Sequence, residues 1–353
     1  MTPAVPIARR SKSLSSQIGL TERIFASRED RATAVAVERG LEQVEEGLLA
    51  ELAFADSVAD VTSRYLLAAG GKRVRPMLTL LAAQLGEGTT PGVLIAAEAV
   101  EITHLASLYH DDVMDEAEKR RGVPSAQAVW GNSVAILTGD LLFARASTLI
   151  ASLGERAIRI QASTFERLVL GQLHETVGPQ PGEDEVEHYL RVLSDKTGSL
   201  IASAARLGVI FSGAPEQYEE AVLLFGERIG VAFQLVDDVL DLSPKAEETG
   251  KVAGTDLRAG VPTLPLLYLR RRAVDDADAA ALLARVEAGI ADPDAPDFAT
   301  AVEALREHEV TAVTLAEARK WARDAVDALA VLPDGTVRKA LTRFADVMVE
   351  RSS

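Results

Sequence analysis

Leu105-Ala106-Ser107-Leu108-Tyr109-His110-Asp111-Asp112-Val113-Met114-Asp115 runs an apolar pattern straight into a set of carboxylates. Val231-Ala232-Phe233-Gln234-Leu235-Val236-Asp237-Asp238-Val239-Leu240-Asp241 repeats the arrangement, its first aspartate 126 residues after Asp111. On a helix, residues i and i+4 lie one above the other, so Asp111 and Asp115 share a face, as do Asp237 and Asp241. Carboxylates stacked this way repel one another unless a cation neutralises them. Hard oxygen ligands suit Mg²⁺, which binds through one or two carboxylates and completes its shell with water and substrate phosphates. Two such sets facing one another would cradle a diphosphate carried on Mg²⁺. The bland alternative is two solvated helix faces, but solvated faces rarely sit inside apolar stretches such as these.

Outward from these motifs the chain reads as helix. Ala, Leu, Glu and Arg dominate, apolar residues recur at three- and four-residue spacing, and no alternating strand pattern stands out. Breaks fall at Gly70-Gly71, Gly86 to Gly92, Gly178 to Gly182, Gly213 to Pro215, Gly250 to Gly260, Asp292 to Pro296 and Pro333 to Gly335. Ser199 to Phe211 and Ala221 to Leu235 are apolar nearly all round, which marks core helices of a large bundle or an interface. No linker separates two halves of different composition. The expectation is an all-α protein, a single large helical bundle with a central cavity over residues 31–353, preceded by a flexible arm, residues 1–30, that mixes Pro, Ser and Arg. The tail from Ala273 is rich in Ala, Asp and Arg and reads as outer helices; its Asp275-Asp276 pair lacks an i+4 partner and reads as surface.

The bulk properties exclude several classes. The 353 residues carry a net charge of −16, which argues against nucleic acid, whose phosphates need a concentrated basic surface. No uncharged apolar run reaches 18 residues, so no transmembrane segment is expected, and no apolar core follows Arg9, Arg10 and Lys12 to make a secretory signal. The chain has no cysteine, which rules out disulfides, thiolate zinc sites and cysteine nucleophiles and fits a cytoplasmic location.

A diphosphate site also needs fixed cations. Gly70-Gly71-Lys72-Arg73-Val74-Arg75-Pro76 puts three cations beside two glycines, and Pro76 suits a helix first turn. Arg120-Arg121 follows Asp115 by five residues, and Lys196-Thr197 and Lys251 are further candidates, with Asp256 in a supporting role. His104 precedes Asp111 by seven residues, nearly two turns, so it faces the same way roughly 10 Å along the helix. Gln234 precedes Asp237 by three on the same side, whereas His110 shows no such alignment and reads as structural.

From Gly70 to Leu267 these pieces, in this order, resemble the trans-isoprenyl diphosphate synthase (polyprenyl synthetase) family. The resemblance rests on Gly-Gly-Lys-Arg-Val-Arg-Pro, His104 before the first motif, Arg-Arg-Gly at 120–122, Lys-Thr-Gly at 196–198, Phe233-Gln234 before the second motif, and Gly-Lys-Val-Ala-Gly-Thr-Asp-Leu at 250–257. It implies an all-α fold of the isoprenoid synthase type, a homodimer, and successive Mg²⁺-dependent condensations of isopentenyl diphosphate with an allylic diphosphate. By that resemblance Asp111, Asp115 and Asp237 would hold Mg²⁺, and Asp112, Asp238 and Asp241 would support the site. Arg120, Lys196, Thr197, Gln234 and Lys251 would contact the allylic diphosphate. Lys72, Arg75, His104 and Arg121 would bind isopentenyl diphosphate. The family often has a lysine where this chain has Val261, which leaves one diphosphate contact open. Bulky aromatics four and five residues before the first motif give short products in the family; here those positions are the small Ser107 and Ala106. The expected product is therefore longer than farnesyl, of the quinone side-chain kind, with geranylgeranyl or farnesyl diphosphate synthase as the alternative.

Two rival readings make different demands. A class I terpene cyclase would use the acidic motifs but leave Lys72, Arg75, His104 and Arg121 idle. A ferritin-like di-iron protein would use Glu101-Ile-Thr-His104 and Glu185-Val-Glu-His188, and would leave both Asp-rich motifs unexplained.

Overall fold

The computed structural model describes residues 27–243 and 253–350. Helices α1 (Arg28–Glu51), α2 (Ser57–Ala68), α3 (Val74–Ala83) and α4 (Pro91–Met114) come first. A two-residue ladder follows, β1 (Lys119–Arg120) with β2 (Val123–Pro124), and then α5 (Ala126–Trp130), α6 (Asn132–Ser152) and α7 (Glu155–Val177). Helix α8 (Glu185–Leu193) runs through a π-helical turn, Ser194–Gly198, into α9 (Ser199–Phe211). The rest comprises α10 (Glu219–Asp241), α11 (Thr255–Arg258), α12 (Leu264–Arg272), α13 (Ala277–Ala291), α14 (Phe298–Glu307), α15 (Glu309–Ala328) and α16 (Thr336–Glu350). The fold is all-α, as the periodicity predicts. The ladder went unread because two residues per strand are too few to show a period of two.

Local chemistry sets the helix starts. Ser27 accepts from the Asp30 amide at 3.0 Å while the Asp30 carboxylate accepts from the Ser27 amide at 3.3 Å, a capping box that begins α1 at Arg28. The same carboxylate accepts from the Thr336 hydroxyl at 2.6 Å, joining α1 to α16. Thr90 caps α4 and Pro91 occupies its first turn.

The chain divides into two compact units. One comprises the described residues up to Glu166, Leu200–Gly226 and Ala328–Phe344; the other comprises Arg167–Ser199, Glu227–Asp327 and the residues from Ala345. Segments of the two alternate along the chain, in keeping with the lack of a compositional linker. The first Asp-rich motif belongs to the first unit and the second motif to the second.

In the first unit α4 is the central helix, packed against α1, α3 and α6 and buried around most of its surface. Helices α3 and α9 cross closely at Gly208, where an added Cβ would overlap the Thr79 carbonyl oxygen and lie 3.1 Å from its carbon. The Thr79 backbone cannot give way, and the Ala82 Cβ would lie 3.2 Å off, so the helices themselves would have to separate. Gly208→Ala is therefore expected to cost about 1–3 kcal/mol as overpacking, read as a lower denaturation midpoint. An unchanged midpoint would contradict this close crossing. In the second unit Val231, Leu235 and Val236 of α10 pack with Val186, Tyr189 and Leu193 of α8, Leu264 and Leu267 of α12, and Ala318 of α15. A neighbouring core gathers Leu266 and Leu269 with Val286, Phe298, Val302 and Leu305 of α12–α14.

By length and composition two helices could cross a membrane, Pro91–Met114 and Asn132–Ser152. The first is buried over 72% of its apolar window and carries the acidic motif; the second is buried over only 33%.

Candidate active site

In the first unit α4 delivers the aspartates at its C-terminal end. Asp111 is half-buried, Asp112 is fully buried, and Asp115 stands exposed just past the last helical residue, its amide donating to the Asp111 carbonyl at 2.8 Å. Glu116, at φ 49, then turns the chain into the β1–β2 hairpin. The hairpin returns Arg120 to Asp112, Nε to Oδ1 at 2.6 Å. The other oxygen, Oδ2, is sealed from solvent without a hydrogen-bond partner. Burial raises the Asp112 pKa, against the pull of Arg120.

The hairpin also places Arg121, which donates from Nη1 to the Leu66 carbonyl at 2.8 Å and to the Gly70 carbonyl. Tyr109 of α4 accepts from the Leu66 amide at 3.3 Å and donates to the Thr62 carbonyl. Together they fasten the end of α2 and the glycine turn to α4. The turn needs its glycines: Gly70 has φ 93, and a Cβ on Gly71 would lie 3.0 Å from Arg121 Nη2.

Not every cation here is available to a ligand. Arg73 pairs with Glu45 and, at 3.3 Å, with Glu101. Lys72 is exposed on the same turn. Arg75 is half-buried, and its Nε is sealed from solvent with no hydrogen-bond partner. Burial holds its pKa below the usual guanidinium value, partly offset by Glu101 and Asp111. Arg121 is pushed down to about 10, mainly by burial. His104 is held well below the ordinary imidazole value, first by burial and then by Arg75, Arg121, Arg73 and Arg120. It is therefore neutral at physiological pH. These residues and the first motif form one electrostatic neighbourhood.

Ala106 is fully buried, and its carbonyl faces Gly139 of α6, where a Cβ would stand 3.2 Å away. Ser107 donates to the His104 carbonyl at 2.9 Å. His110 rests on the Ile136 carbonyl at 3.1 Å, a packing role as read.

In the second unit the aspartates end α10. Asp238 is buried and accepts from the Tyr189 hydroxyl at 2.6 Å; its Oδ1 has no hydrogen-bond partner. Burial pushes its pKa up to about 8, with Asp256 and Asp237 adding to the rise. Asp237 and Asp241 are half-buried. Asp241 accepts from the Asp256 amide at 3.0 Å and, through its carbonyl, from Gly254 at 2.8 Å, so it anchors the returning chain. The Asp256 carbonyl accepts from the Val261 amide at 2.9 Å. Gln234 is half-buried on α10, and Lys251 lies outside the described residues. Lys196 and Thr197 sit in the π-helical turn, Lys196 paired with Glu175 of α7.

Several residues of this neighbourhood escaped the sequence reading: Tyr189 on Asp238, Glu175 on Lys196, Arg167, and Gln172, whose Oε1 is buried without a hydrogen-bond partner. A signal existed. Arg167, Gly171 and Glu175 recur every four residues and so share one face of α7.

Among the described residues no three His, Asp or Glu side chains form a ready-made metal cage. The all-carboxylate donor set fits Mg²⁺, which takes one or two protein carboxylates and relies on phosphate and water for the rest. The di-iron reading fares worse. Glu101 is committed to Arg73, and His188 rests on Glu183 and the His174 carbonyl, both at 3.2 Å.

A family model described as Polyprenyl synthetase matches residues 57–295. A nonaprenyl diphosphate synthase of Mycobacterium tuberculosis is 46% identical over 324 residues, covering 91% of this chain and 95% of its own. The crystal structure of a decaprenyl diphosphate synthase from Rhodobacter capsulatus superposes with a TM-score of 0.80 at 35% identity, covering 92% of this chain and 99% of that one. A geranylgeranyl pyrophosphate synthase from Corynebacterium glutamicum, complexed with calcium and isoprenyl diphosphate, gives 0.79 at 40% identity, covering 93% and 99%.

Proposed function

This chain belongs to the polyprenyl synthetase family, and we propose on that premise that it condenses isopentenyl diphosphate with an allylic diphosphate, head to tail, more than once. It is a prenyltransferase, a trans-polyprenyl diphosphate synthase of isoprenoid biosynthesis. The observation that carries the two-substrate reading is the gathering of Arg75, His104 and Arg121 beside Asp111 and Asp112. A cyclase, which uses no second diphosphate, has no need of such a set.

In this reading Asp111, Asp115 and Asp237 would hold Mg²⁺, with Asp112, Asp238 and Asp241 keeping them in place. Bound there, the ion would screen the allylic diphosphate and stabilise the charge growing on it as it leaves. Arg120, Lys196, Thr197, Gln234 and Lys251 would take up that same charge as the C–O bond breaks. Lys72, Arg75 and Arg121 would hold the second diphosphate, and neutral His104 would contribute a hydrogen bond rather than a charge. No side chain is assigned as base; the proton lost after C–C bond formation goes to the departed diphosphate. Apolar walls around the growing tail would exclude the water that quenches an allylic cation.

The product is longer than farnesyl in this account. Small residues at 106 and 107 leave room for a tail, and the relatives include nonaprenyl and decaprenyl synthases. Ala106→Phe is expected to shorten the product, measured by chromatographic sizing of the dephosphorylated lipids. An unchanged distribution would refute this assignment of the floor. The exposed Ile136 and Leu137 of α6 and Ile158 and Phe165 of α7 offer an apolar surface that a second copy would cover in a homodimer. Absence of cysteine agrees with a cytoplasmic setting.

A further inference from the structure

The π-helical turn Ser194–Gly198 is gripped by residues that the chemistry above does not use. Arg167 donates from Nε to Asp195 Oδ1 at 2.7 Å, from Nη1 to Glu227 Oε2 at 2.7 Å and from Nη2 to Ser194 Oγ at 3.1 Å. Ser194 completes the ring, donating to Glu227 Oε1 at 3.0 Å. One turn along α7, Gly171 lets the turn approach: a Cβ there would lie 2.6 Å from the Lys196 amide nitrogen. On the other side, a Cβ on Gly198 would lie 2.9 Å from the Glu227 carbonyl oxygen. The turn is therefore wedged against α7 at Gly171 and against α10 at Glu227, with Lys196 and Thr197 between the two contacts.

Stability explains this arrangement poorly. The side chains of Arg167, Asp195 and Glu227 are 35%, 27% and 28% exposed, and ion pairs screened to that degree contribute little. Direction explains it better. A π turn carries one residue more than the α-helix around it, occurs rarely, and is concentrated at functional sites. Relaxing it to α-helix would swing the following side chains by roughly one residue's rotation, about 100°. A planar guanidinium can hold three acceptors at fixed angles, which a lysine cannot.

We propose that Arg167 is a positioning residue for the allylic diphosphate, holding the π turn through Ser194, Asp195 and Glu227 so that Lys196 and Thr197 face their ligand. This rests on the reading above that Lys196 and Thr197 contact that diphosphate.

The test is steady-state kinetics on Arg167→Ala, Arg167→Lys, Lys196→Ala and the Arg167→Ala/Lys196→Ala double variant, varying farnesyl diphosphate and isopentenyl diphosphate in turn. Arg167→Ala is expected to raise KM for farnesyl diphosphate roughly tenfold or more and to shift KM for isopentenyl diphosphate less than about twofold. Arg167→Lys, which restores one contact of three, should recover only part of the loss. Because Arg167 acts through Lys196 and Thr197, adding Arg167→Ala to Lys196→Ala should cost clearly less than Arg167→Ala costs in the parent. Additive losses, or equal rises in both KM values accompanied by a fall in Tm, would overturn the positioning role and leave a plain structural one. Lys196→Ala separates the two levels: if it leaves KM for farnesyl diphosphate unchanged, the underlying assignment fails; if it raises KM while Arg167→Ala does not, only the positioning role fails.

Discussion

Asp237→Asn and Asp111→Asn are each expected to lower kcat/KM for the allylic diphosphate by at least a hundredfold, on the order of 3 kcal/mol of transition-state stabilisation. The substitution keeps size and one acceptor oxygen while removing the negative charge that a divalent cation needs. Both aspartates are half-buried at the ends of long helices, each beside a fully buried neighbour. The backbone that aims them is therefore expected to stay in place with an isosteric side chain. Two accompanying readouts make the result specific. The Mg²⁺ concentration for half-maximal rate should rise in both variants, and Asp275→Asn, in the exposed acidic pair at the start of the outer helices, should behave as the parent enzyme. A large loss from one motif and none from the other would contradict the claim that both motifs serve the reaction.

Arg75→Met should raise KM for isopentenyl diphosphate by roughly ten- to a hundredfold, the range expected for losing a charged hydrogen bond worth about 1.5–3 kcal/mol. Its KM for the allylic primer should hold within about twofold. The physical ground is the unpartnered, solvent-sealed Nε and the depressed pKa of a guanidinium beside Glu101 and Asp111. A buried donor left unpaired is costly, so a polar ligand that completes it returns that energy as affinity. Methionine keeps the apolar length of the stem, which limits the packing loss. Equal changes in both KM values would move Arg75 out of the isopentenyl site.

Much of this neighbourhood was legible before any coordinates. Helix running up to both motifs followed from three- and four-residue spacing, and the seven-residue interval from His104 to Asp111 set the two on one face of α4; the arginines around His104 belong to other elements. What stayed hidden depends on contacts between residues far apart in the chain. Counting cations in Gly70–Pro76 cannot tell that Arg73 is spent on Glu45 and Glu101, each 28 residues away, while Arg75 keeps an unpaired nitrogen. Nor does a list of basic residues reveal that Arg121 secures the Leu66 and Gly70 carbonyls. Composition does not mark the π turn at Ser194–Gly198, because one inserted residue has no signature of its own; the approach of α7 at Gly171 and of Glu227 to Gly198 defines it. Tyr189 has no local mark of its partnership with Asp238, 49 residues further on.

The central claim, that this chain joins isopentenyl units onto an allylic diphosphate, is tested most directly by incubating the purified protein with labelled isopentenyl diphosphate, Mg²⁺ and farnesyl diphosphate and sizing the dephosphorylated products. Labelled prenyl alcohols longer than farnesol, growing in five-carbon steps with time, are expected. Farnesyl diphosphate consumed with no label incorporated, or no product at all, would contradict it.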